Sequence, residues 1–426
     1  GGPGQGSSVR IRGQRADATA VLIDGLRFRD PASIQGDASS FLQAFPVVNF
    51  DRVEVLRGSG SSLYGSNAVG GTVNVVTDPG GGPVHGGLQM EGGTLGLMRG
   101  RGTVSGGLRD NRLTYSAGLM HLNVLSGVDG DDRMRSTGVQ TFTRYALSPR
   151  TSLSGRLYVA DDFVQLNASP PAAGLPATNL PATTVVPAIP LAPEQVLRSA
   201  AGLPIEAGNA TFLPNRNDPD SRRASRMWST ALILRHSLHH TADWQTSYQR
   251  VSTNRLANNG PGGPGFQPAV SNSSQFAGTT DTLDTRLQWR PAQWFGLTGG
   301  YEFERETYLN ADDNRMPAPA TVQTRTRAAQ RSNSLFAANQ ITLARQRLQI
   351  SLSGRMQNFT LTRPEFQYAG TVNNYAGVEA LTPPRALTAD AAVSYFIPTT
   401  GTKLRVHAGN AYRAPGLYER YGTGFF

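Results

Sequence analysis

The chain of 426 residues contains no cysteine, and its net charge of +10 is carried almost wholly by arginine, with Lys403 the single lysine; thiol catalysis, cysteine-based zinc sites and disulfide scaffolds are thereby excluded. With 48 Gly, 27 Pro and a mean hydropathy of -0.33, no segment approaches the roughly 18 continuous apolar residues of a membrane-spanning helix, whereas a membrane β-barrel strand needs only about nine to eleven residues with every second one apolar. The arginines are scattered rather than clustered with aromatic residues, which argues against nucleic acid; many stand in the polar phase of alternating segments, as expected of a barrel lumen or of a rim meeting anionic lipopolysaccharide or an anionic ligand.

In chain order, Gly1 to Ser8 is a glycine-rich run without the features of a signal peptide. Val9 to Gly13 alternates apolar and basic residues as a short strand, and Ala20 to Asp24 reads as a second strand closed by the tight-turn pair Asp24-Gly25. Arg27 to Gln35 is expected to be a polar loop and Ser40 to Phe45 a short helix. From Asn49 to Asp78 come a strand around Val53, Val55 and Leu56, a Gly/Ser-rich loop with one helical turn at Ser61 to Tyr64, and a strand around Val73, Val75 and Val76. Gly60 to Gly65 has the spacing of a phosphate-binding loop, but Ser66 and Asn67 stand where Lys and Ser/Thr are required, so that reading is rejected.

The same stretch contains Val55-Leu56-Arg57-Gly58, Ser62-Leu63-Tyr64-Gly65, Ala68-Val69-Gly70-Gly71 and Asn74-Val75-Val76-Thr77. Their order resembles the plug-domain signature of TonB-dependent outer-membrane receptors. An ordinary glycine-rich hairpin would explain the glycines but not the order of motifs. The resemblance implies a plug domain over residues 1–83, whose small mixed sheet takes in Val9 to Gly13, Ala20 to Asp24, Val53 to Leu56 and Thr72 to Thr77, followed by a barrel over 84–426.

From Val84 the pattern changes to long alternating strands. Leu283, Thr285, Leu287 and Trp289 form one face and Asp284, Arg286, Gln288 and Arg290 the other. Comparable segments at 84–92, 98–108, 112–124, 136–146, 151–161, 225–238, 242–253, 281–290, 294–305, 332–344, 347–359, 387–397 and 402–411 give about thirteen strands. Short turns such as Arg109 to Asn111, Pro291 to Gln293 and Ala344 to Gln346 alternate with long connections, Asp162 to Ala224 being the longest. That asymmetry separates an outer-membrane barrel, short side periplasmic, from a soluble sandwich. Trp244, Trp289, Trp294 and Tyr395 gather near the short turns, as an interfacial aromatic girdle would.

The fold class expected is therefore mainly β: a transmembrane antiparallel β-barrel, partial at about 13 of an expected 22 strands, with an N-terminal α+β plug domain inside the lumen. The resemblance implies that roughly nine strands lie beyond Phe426 and a TonB box and signal peptide upstream, so the chain is expected to be truncated at both ends. Ala411-Tyr412-Arg413-Ala414-Pro415-Gly416-Leu417-Tyr418-Glu419 resembles the F-R-A-P-x-L-x-E segment that these receptors carry inside the barrel. The Pro/Ala-rich run Ala168 to Pro214 is expected to be an external loop that closes over substrate.

The resemblance implies an outer-membrane active-transport receptor of a Gram-negative bacterium that binds a scarce metal-chelate ligand, a ferric siderophore or cobalamin, and imports it with energy from the TonB complex. Its partners would be TonB, the ligand, outer-membrane lipid and lipopolysaccharide, with no nucleic acid and no cofactor; the alternative is a passive porin or an adhesin-type barrel. No catalytic constellation is found, and the adjacent His239 and His240 read as polar turn residues, not a metal pair. A weak calcium site is conceivable at Asp129, Asp131 and Asp132. The ligand-binding candidates are the plug apices Arg27, Phe28, Arg29 and Asp30, and Ser62, Tyr64, Ser66 and Asn67, both expected to face the outer vestibule. Arg57 is expected to pair with an inward barrel carboxylate, Glu302 or Glu304, unless it only satisfies plug carbonyls.

Overall fold

The computed structural model describes residues 8–33, 38, 48–58, 60–126, 133–165, 189–201, 203–206, 211–212, 221–260, 271–315, 322–370, 375 and 377–422. The expected helix at Ser40 to Phe45, the calcium candidates Asp129, Asp131 and Asp132, and most of the Ala168 to Pro214 run lie outside the described residues.

The N-terminal unit is a four-stranded sheet of β1 (Thr19–Ile23), β2 (Leu26–Phe28), β3 (Phe50–Arg57) and β4 (Gly71–Thr77), ordered β2-β1-β4-β3, with the one-turn helix α1 (Ser61–Tyr64) between β3 and β4. β1 lies parallel to β4, while β2 and β3 flank the pair antiparallel. Asp24 and Gly25 close the β1–β2 hairpin at φ 49° and 80°, the positive values that such a two-residue loop demands. Two sequence expectations are corrected here. Val9 to Gly13 forms no strand, and the fourth strand comes instead from Leu26–Phe28, which overlaps the start of the stretch expected to be a loop. The chain folds straight back after the tight turn because Leu26 and Phe28 can then bury their side chains.

The second unit is a sheet of thirteen antiparallel strands in unbroken sequential order. They are β5 (His85–Gly93), β6 (Leu97–Leu108), β7 (Leu113–Val124), β8 (Met134–Ser148), β9 (Thr151–Gln165), β12 (Arg222–His239), β13 (Ala242–Asn259), β14 (Ser271–Ala292), β15 (Phe295–Arg315), β16 (Val322–Leu343), β17 (Leu348–Ala369), β18 (Ala386–Ile397) and β19 (Thr402–Gly409). Between β9 and β12 lie a short parallel pair, β10 (Ile189–Pro190) and β11 (Thr211–Phe212), and helix α2 (Pro193–Ala200); α3 (Leu417–Tyr421) follows β19. Each of the thirteen strands falls where alternation placed one. β14, β16 and β17 run 22 residues and β15 runs 21, about twice what a bilayer requires.

The sheet curves around the N-terminal unit and presents two chemically opposite faces. Inward positions include Ser229, Gln249, Thr282, Glu302, Glu304, Glu306, Asn310, Thr326, Ser332, Ser334 and Arg355, all buried. Outward rows, followed through the register, are apolar: Trp244, Leu287, Gly299, Ala337, Gly354 and Ala389 pair in succession across β13 to β18. Polar inside and apolar outside inverts the arrangement of a soluble sandwich and is that of a membrane barrel. Trp289 and Trp294 pack edge-on against Phe295 beside one short turn, with ring centroids 6.2 and 5.6 Å away, where a lower aromatic girdle belongs. The ten residue steps from Phe295 to Arg305 rise roughly 25 Å at about 3.3 Å per residue and about 40° of tilt, the height of an outer-membrane apolar band.

Ala337 lies at the middle of that band and faces outward. Replacing it with Arg is expected to destabilise the barrel by roughly 2–4 kcal/mol in a bilayer, whereas Leu343→Arg, on the same outward face beside the short turn between β16 and β17, should cost about 1 kcal/mol or less. Equilibrium unfolding of the full-length protein in liposomes checks the difference.

Candidate functional site: the plug and the lumen wall

Strand periodicity puts Arg27 and Arg29 on one face of the β2 end and Leu26 and Phe28 on the other. Phe28 joins a buried cluster with Val21, Ile23, Ala38, Tyr158, Ala160, Met227 and Val251, and Leu26 packs with Ala231 and Ile233. These apolar patches on β9, β12 and β13 are the places where the inward face departs from its polar rule, and the N-terminal sheet rests on them.

The opposite face of β2 meets β15, where Glu302, Glu304 and Glu306 stand at every second residue and so share one side of the strand. Arg27 Nη2 donates to Glu302 Oε1 at 2.7 Å and to Glu304 Oε2 at 2.8 Å. Arg29 Nη2 donates to Glu304 Oε1 at 2.5 Å and to Glu306 Oε2 at 2.9 Å. From the wall, Arg355 Nη2 donates to Glu302 Oε1 at 2.5 Å and to Ser334 Oγ at 2.8 Å. Three guanidiniums thus balance three carboxylates in a water-poor setting, where charge-assisted hydrogen bonds are strongest and a missing partner is costly. Burial acts to lower the pKa of Arg29, but Glu304 and Glu306 outweigh it and leave the group raised, so it stays charged.

Further contacts fix the rest of the N-terminal unit. Asp24 accepts from Thr77 N at 2.7 Å and from Arg156 Nη1 at 3.0 Å, and Arg156 also donates to Ile23 O at 2.5 Å. Asp30, fully buried, accepts from Ala32 N at 2.9 Å and from Thr253 Oγ1 at 2.7 Å, with Arg255 3.2 Å away. Asn49 N donates to Gln140 Oε1 at 3.1 Å, and Gln140 Nε2 donates back to Asn49 O at 2.5 Å. Ser62 Oγ donates to Asp390 Oδ2 at 2.5 Å.

The segment after β19 turns into the lumen. Arg413 forms a fork with Glu419, at 2.7 and 2.8 Å, and lies 3.5 Å from Asp17. Glu419 also accepts from Gly416 N at 2.7 Å, and Ala414 N donates to Ser66 Oγ at 2.9 Å. The Arg and Glu of the R-A-P-x-L-x-E motif therefore bind each other and cap α3, whose Leu417, Tyr418 and Tyr421 join Ala32, Tyr308 and Ala328 in a buried cluster. Phe276, Leu361 and Phe366 border it, and Tyr375 stacks on Phe366 at 4.6 Å. This aromatic wall lies on the long-loop side of the ion ladder.

These placements correct the expected site. Arg27, Phe28, Arg29 and Asp30 are packed into the wall and face no vestibule, because β2 is the edge strand that abuts the barrel. Ser62, Ser66 and Asn67 are buried; Ser62 and Ser66 bond to Asp390 and Ala414, and Asn67 Nδ2 donates to Asp17 O at 2.9 Å. Tyr64 lines a cavity of about 400 Å³ with Arg290, Gly296, Gln340 and Ser351, residues beside the short turns. It lies toward the short-turn end, opposite to the expectation. Arg57 is exposed on β3 and makes no ion pair among the described residues. Glu302 and Glu304 do hold the N-terminal unit, but through Arg27 and Arg29, since β3 is the far edge of the sheet. Glu306, Arg355, Asp24, Arg156 and Asp390 were not anticipated; the matching every-second-residue arrays 27/29 and 302/304/306 are the signal that could have revealed the ladder.

Comparison with known proteins agrees with this architecture. Residues 1–72 match the family model described as TonB-dependent Receptor Plug Domain, and residues 193–426 match TonB dependent receptor-like, beta-barrel. Among solved structures, the ferric yersiniabactin uptake receptor FyuA from Yersinia pestis superposes with a TM-score of 0.65 at 12% identity, covering 89% of this chain and 53% of its own. The siderophore receptor PiuA from Acinetobacter baumannii gives 0.62 at 15%, covering 93% and 58%. The copper transporter OprC gives 0.64 at 11%, covering 95% and 56%. At such identities the likeness is one of fold, and the chain spans a little over half the length of these structures. The two family matches, the polar lumen filled by a docked N-terminal sheet and the apolar outer wall together show that this chain belongs to the TonB-dependent receptors of the Gram-negative outer membrane.

Proposed function

We propose that the chain carries plug and barrel strands of an active-transport receptor that captures a scarce metal chelate, a ferric siderophore before cobalamin, and imports it when TonB draws on the plug. The ion-paired plug across the lumen carries this reading. A passive porin needs an open water-filled lumen, and an adhesin needs no ladder of buried charge to hold a separate domain inside it. Several similar structures are of receptors described for ferric siderophores, which favours an iron chelate; OprC, described as a copper transporter, shares the fold equally well, so the fold does not choose the metal.

The ligand face of this reading is the aromatic wall on the long-loop side, with Phe366 and Tyr375 at its border and Arg255 over Phe276 at 5.6 Å. Flat rings supply apolar area for organic chelate arms, while Arg255, held 3.2 Å from Asp30, fixes the position of the Phe276 ring. The plug apices are displaced from this role because their arginines are already committed to glutamates. Energy enters from the other end: a pull on the plug must break polar contacts, and each freed partner can be taken up by water as the lumen opens.

Three outcomes are expected in the full-length receptor. Uptake of radiolabelled ferric catecholate, hydroxamate and citrate chelates and of cobalamin should show one accepted class, and an uncoupler should abolish its uptake while surface binding persists; uptake that survives the uncoupler would establish a passive pore. Phe366→Ala should weaken binding of the accepted class about tenfold, the cost of losing one buried aromatic anchor, in an equilibrium binding assay on whole cells. Glu304→Ala, which leaves two buried arginines short of a partner, should destabilise plug docking by about 3–5 kcal/mol, while Arg57→Ala should stay within about 0.5 kcal/mol. Hydrogen exchange at the amides of β1 and β2, followed by mass spectrometry, separates these two.

A further inference from the structure

At the short-turn end of the lumen, Arg144 near the end of β8, Arg150 in the turn to β9 and Arg235 near the end of β12 line one cavity of about 480 Å³. Arg144 lies four residues on from buried Gln140, and Arg235 two residues on from buried Ile233, so strand alternation points both inward. In the register, Ser152 on β9 stands between Ala146 and Arg235, and one inward step higher Ser154 stands between Arg144 and Ile233. The β1–β2 hairpin of the plug rests directly above: Leu26 packs on Ala231 and Ile233, and Asp24 holds Arg156, the next inward residue above Ser154.

Neighbouring lumen arginines have acidic partners, Arg156 in Asp24 at 3.0 Å and Arg286 in Asp284 at 2.7 Å. Arg144, Arg150 and Arg235 make no ion pair among the described residues. Arg235 Nε donates to Gln245 Oε1 at 2.9 Å, which orients the guanidinium without neutralising it. The one carboxylate among the lining residues, Asp243, accepts from Ser237 Oγ at 2.6 Å. Three cations against one anion in a concave pocket focus a positive potential, which raises the local concentration of anions. The sheet separates this cavity from membrane lipid, and its volume is that of a small-molecule cleft. The occupant that fits is a small solute with several anionic oxygens, which guanidinium forks grip two at a time.

We propose that Arg144, Arg150 and Arg235 form an exit-side site for the transported chelate, an anionic one bearing carboxylate or catecholate oxygens, which reaches them after passing the displaced hairpin. This rests on the transport reading above and narrows it to anionic chelates. The site stands across the plug from the aromatic wall, so it draws the chelate toward the periplasm and away from the face that captured it. Arg144 and Arg150 are exposed, so water competes for their donors and the chelate is held only weakly before release.

Two measurements on the full-length receptor in outer-membrane vesicles test this. Ser148, exposed in the cavity lining, is replaced by Cys; the 426 residues contain no competing thiol. The anionic sulfonatoethyl methanethiosulfonate should then react about tenfold faster than the cationic trimethylammonioethyl reagent, relative to a free thiol. R144Q/R235Q should abolish that preference, R144K/R235K should keep it, and ferric citrate should slow the labelling. Equal rates for the two reagents, or protection by inorganic phosphate as strong as by ferric citrate, would overturn the site; protection by hexaglutamate alone would overturn it in favour of an acidic protein segment. In whole cells, R144Q/R235Q should lower the maximal uptake rate of ferric citrate and ferric tricatecholate about tenfold, with surface affinity unchanged and uptake of a neutral ferric trihydroxamate unaffected. Unchanged surface affinity and heat-modifiable migration on gels report that the variant is folded. Unchanged anionic uptake in R144Q/R235Q would overturn the exit site and leave the transport reading intact. A wild type that imports none of these chelates would end the transport reading, while the labelling still decides whether the cavity takes an anionic chelate.

Discussion

The structure depends on a charge ladder that neither of its halves can complete alone. Glu302, Glu304 and Glu306 project from the middle of a wall strand into a space from which water is largely removed once the plug is seated, and two of their three cationic partners arrive from about 275 residues earlier in the chain. Three unpaired carboxylates there would repel each other and lose their hydration, and two unpaired arginines on β2 would be as costly. Docking resolves both problems at once. The bond so formed is also of a particular kind: ion pairs and hydrogen bonds have substitutes in water, which an apolar interface lacks, so a plug held this way is firm while dry and yielding once wetted.

The apolar contacts complement the ladder. Phe28 and Leu26 press against β9, β12 and β13, while Arg27 and Arg29 engage β15, so a single hairpin is clamped between two sides of the curved wall. At the long-loop side, the Arg413–Glu419 fork holds a short helix over the seated plug and contributes tyrosines to the aromatic wall. The segment therefore touches both the plug, through Ser66 and Asp17, and the residues above it. One short peptide thus bridges the plug and the aromatic wall.

Strand number and order were legible because the bilayer imposes alternation: Leu283, Leu287 and Trp289 must face lipid while Asp284 and Arg286 face the lumen. The upper parts of the same strands were not legible. Over Ser271 to Thr280, Thr307 to Arg315 and Val322 to Arg331 both faces are largely polar, since neither meets lipid, and the ladder continues without a hydrophobic period to announce it. The site was partly legible. Glu302 and Glu304 are readable as inward from their phase, but which arginine meets them depends on the sheet order β2-β1-β4-β3, which no local pattern reveals. Arg57 and Arg27 look alike in sequence; one edge of the sheet abuts β15 and the other does not. Tyr64 was misplaced in height for a related reason, because the signature loop between β3 and β4 lies toward the short turns.

The strand lengths have a consequence for what can approach this receptor. About half of β14 to β17 continues past the row at Arg305, a further roughly 25 Å of hydrogen-bonded wall at the usual rise and tilt. The mouth is thus carried on a rigid stalk-like collar well clear of the headgroups. A solute diffusing in from outside meets it above the zone where fixed phosphates and their counterions dominate the local potential, and that potential decays within about a nanometre at ordinary ionic strength. An anionic solute can then sense the charges of the mouth itself, free of the repulsion of the membrane on which the protein stands.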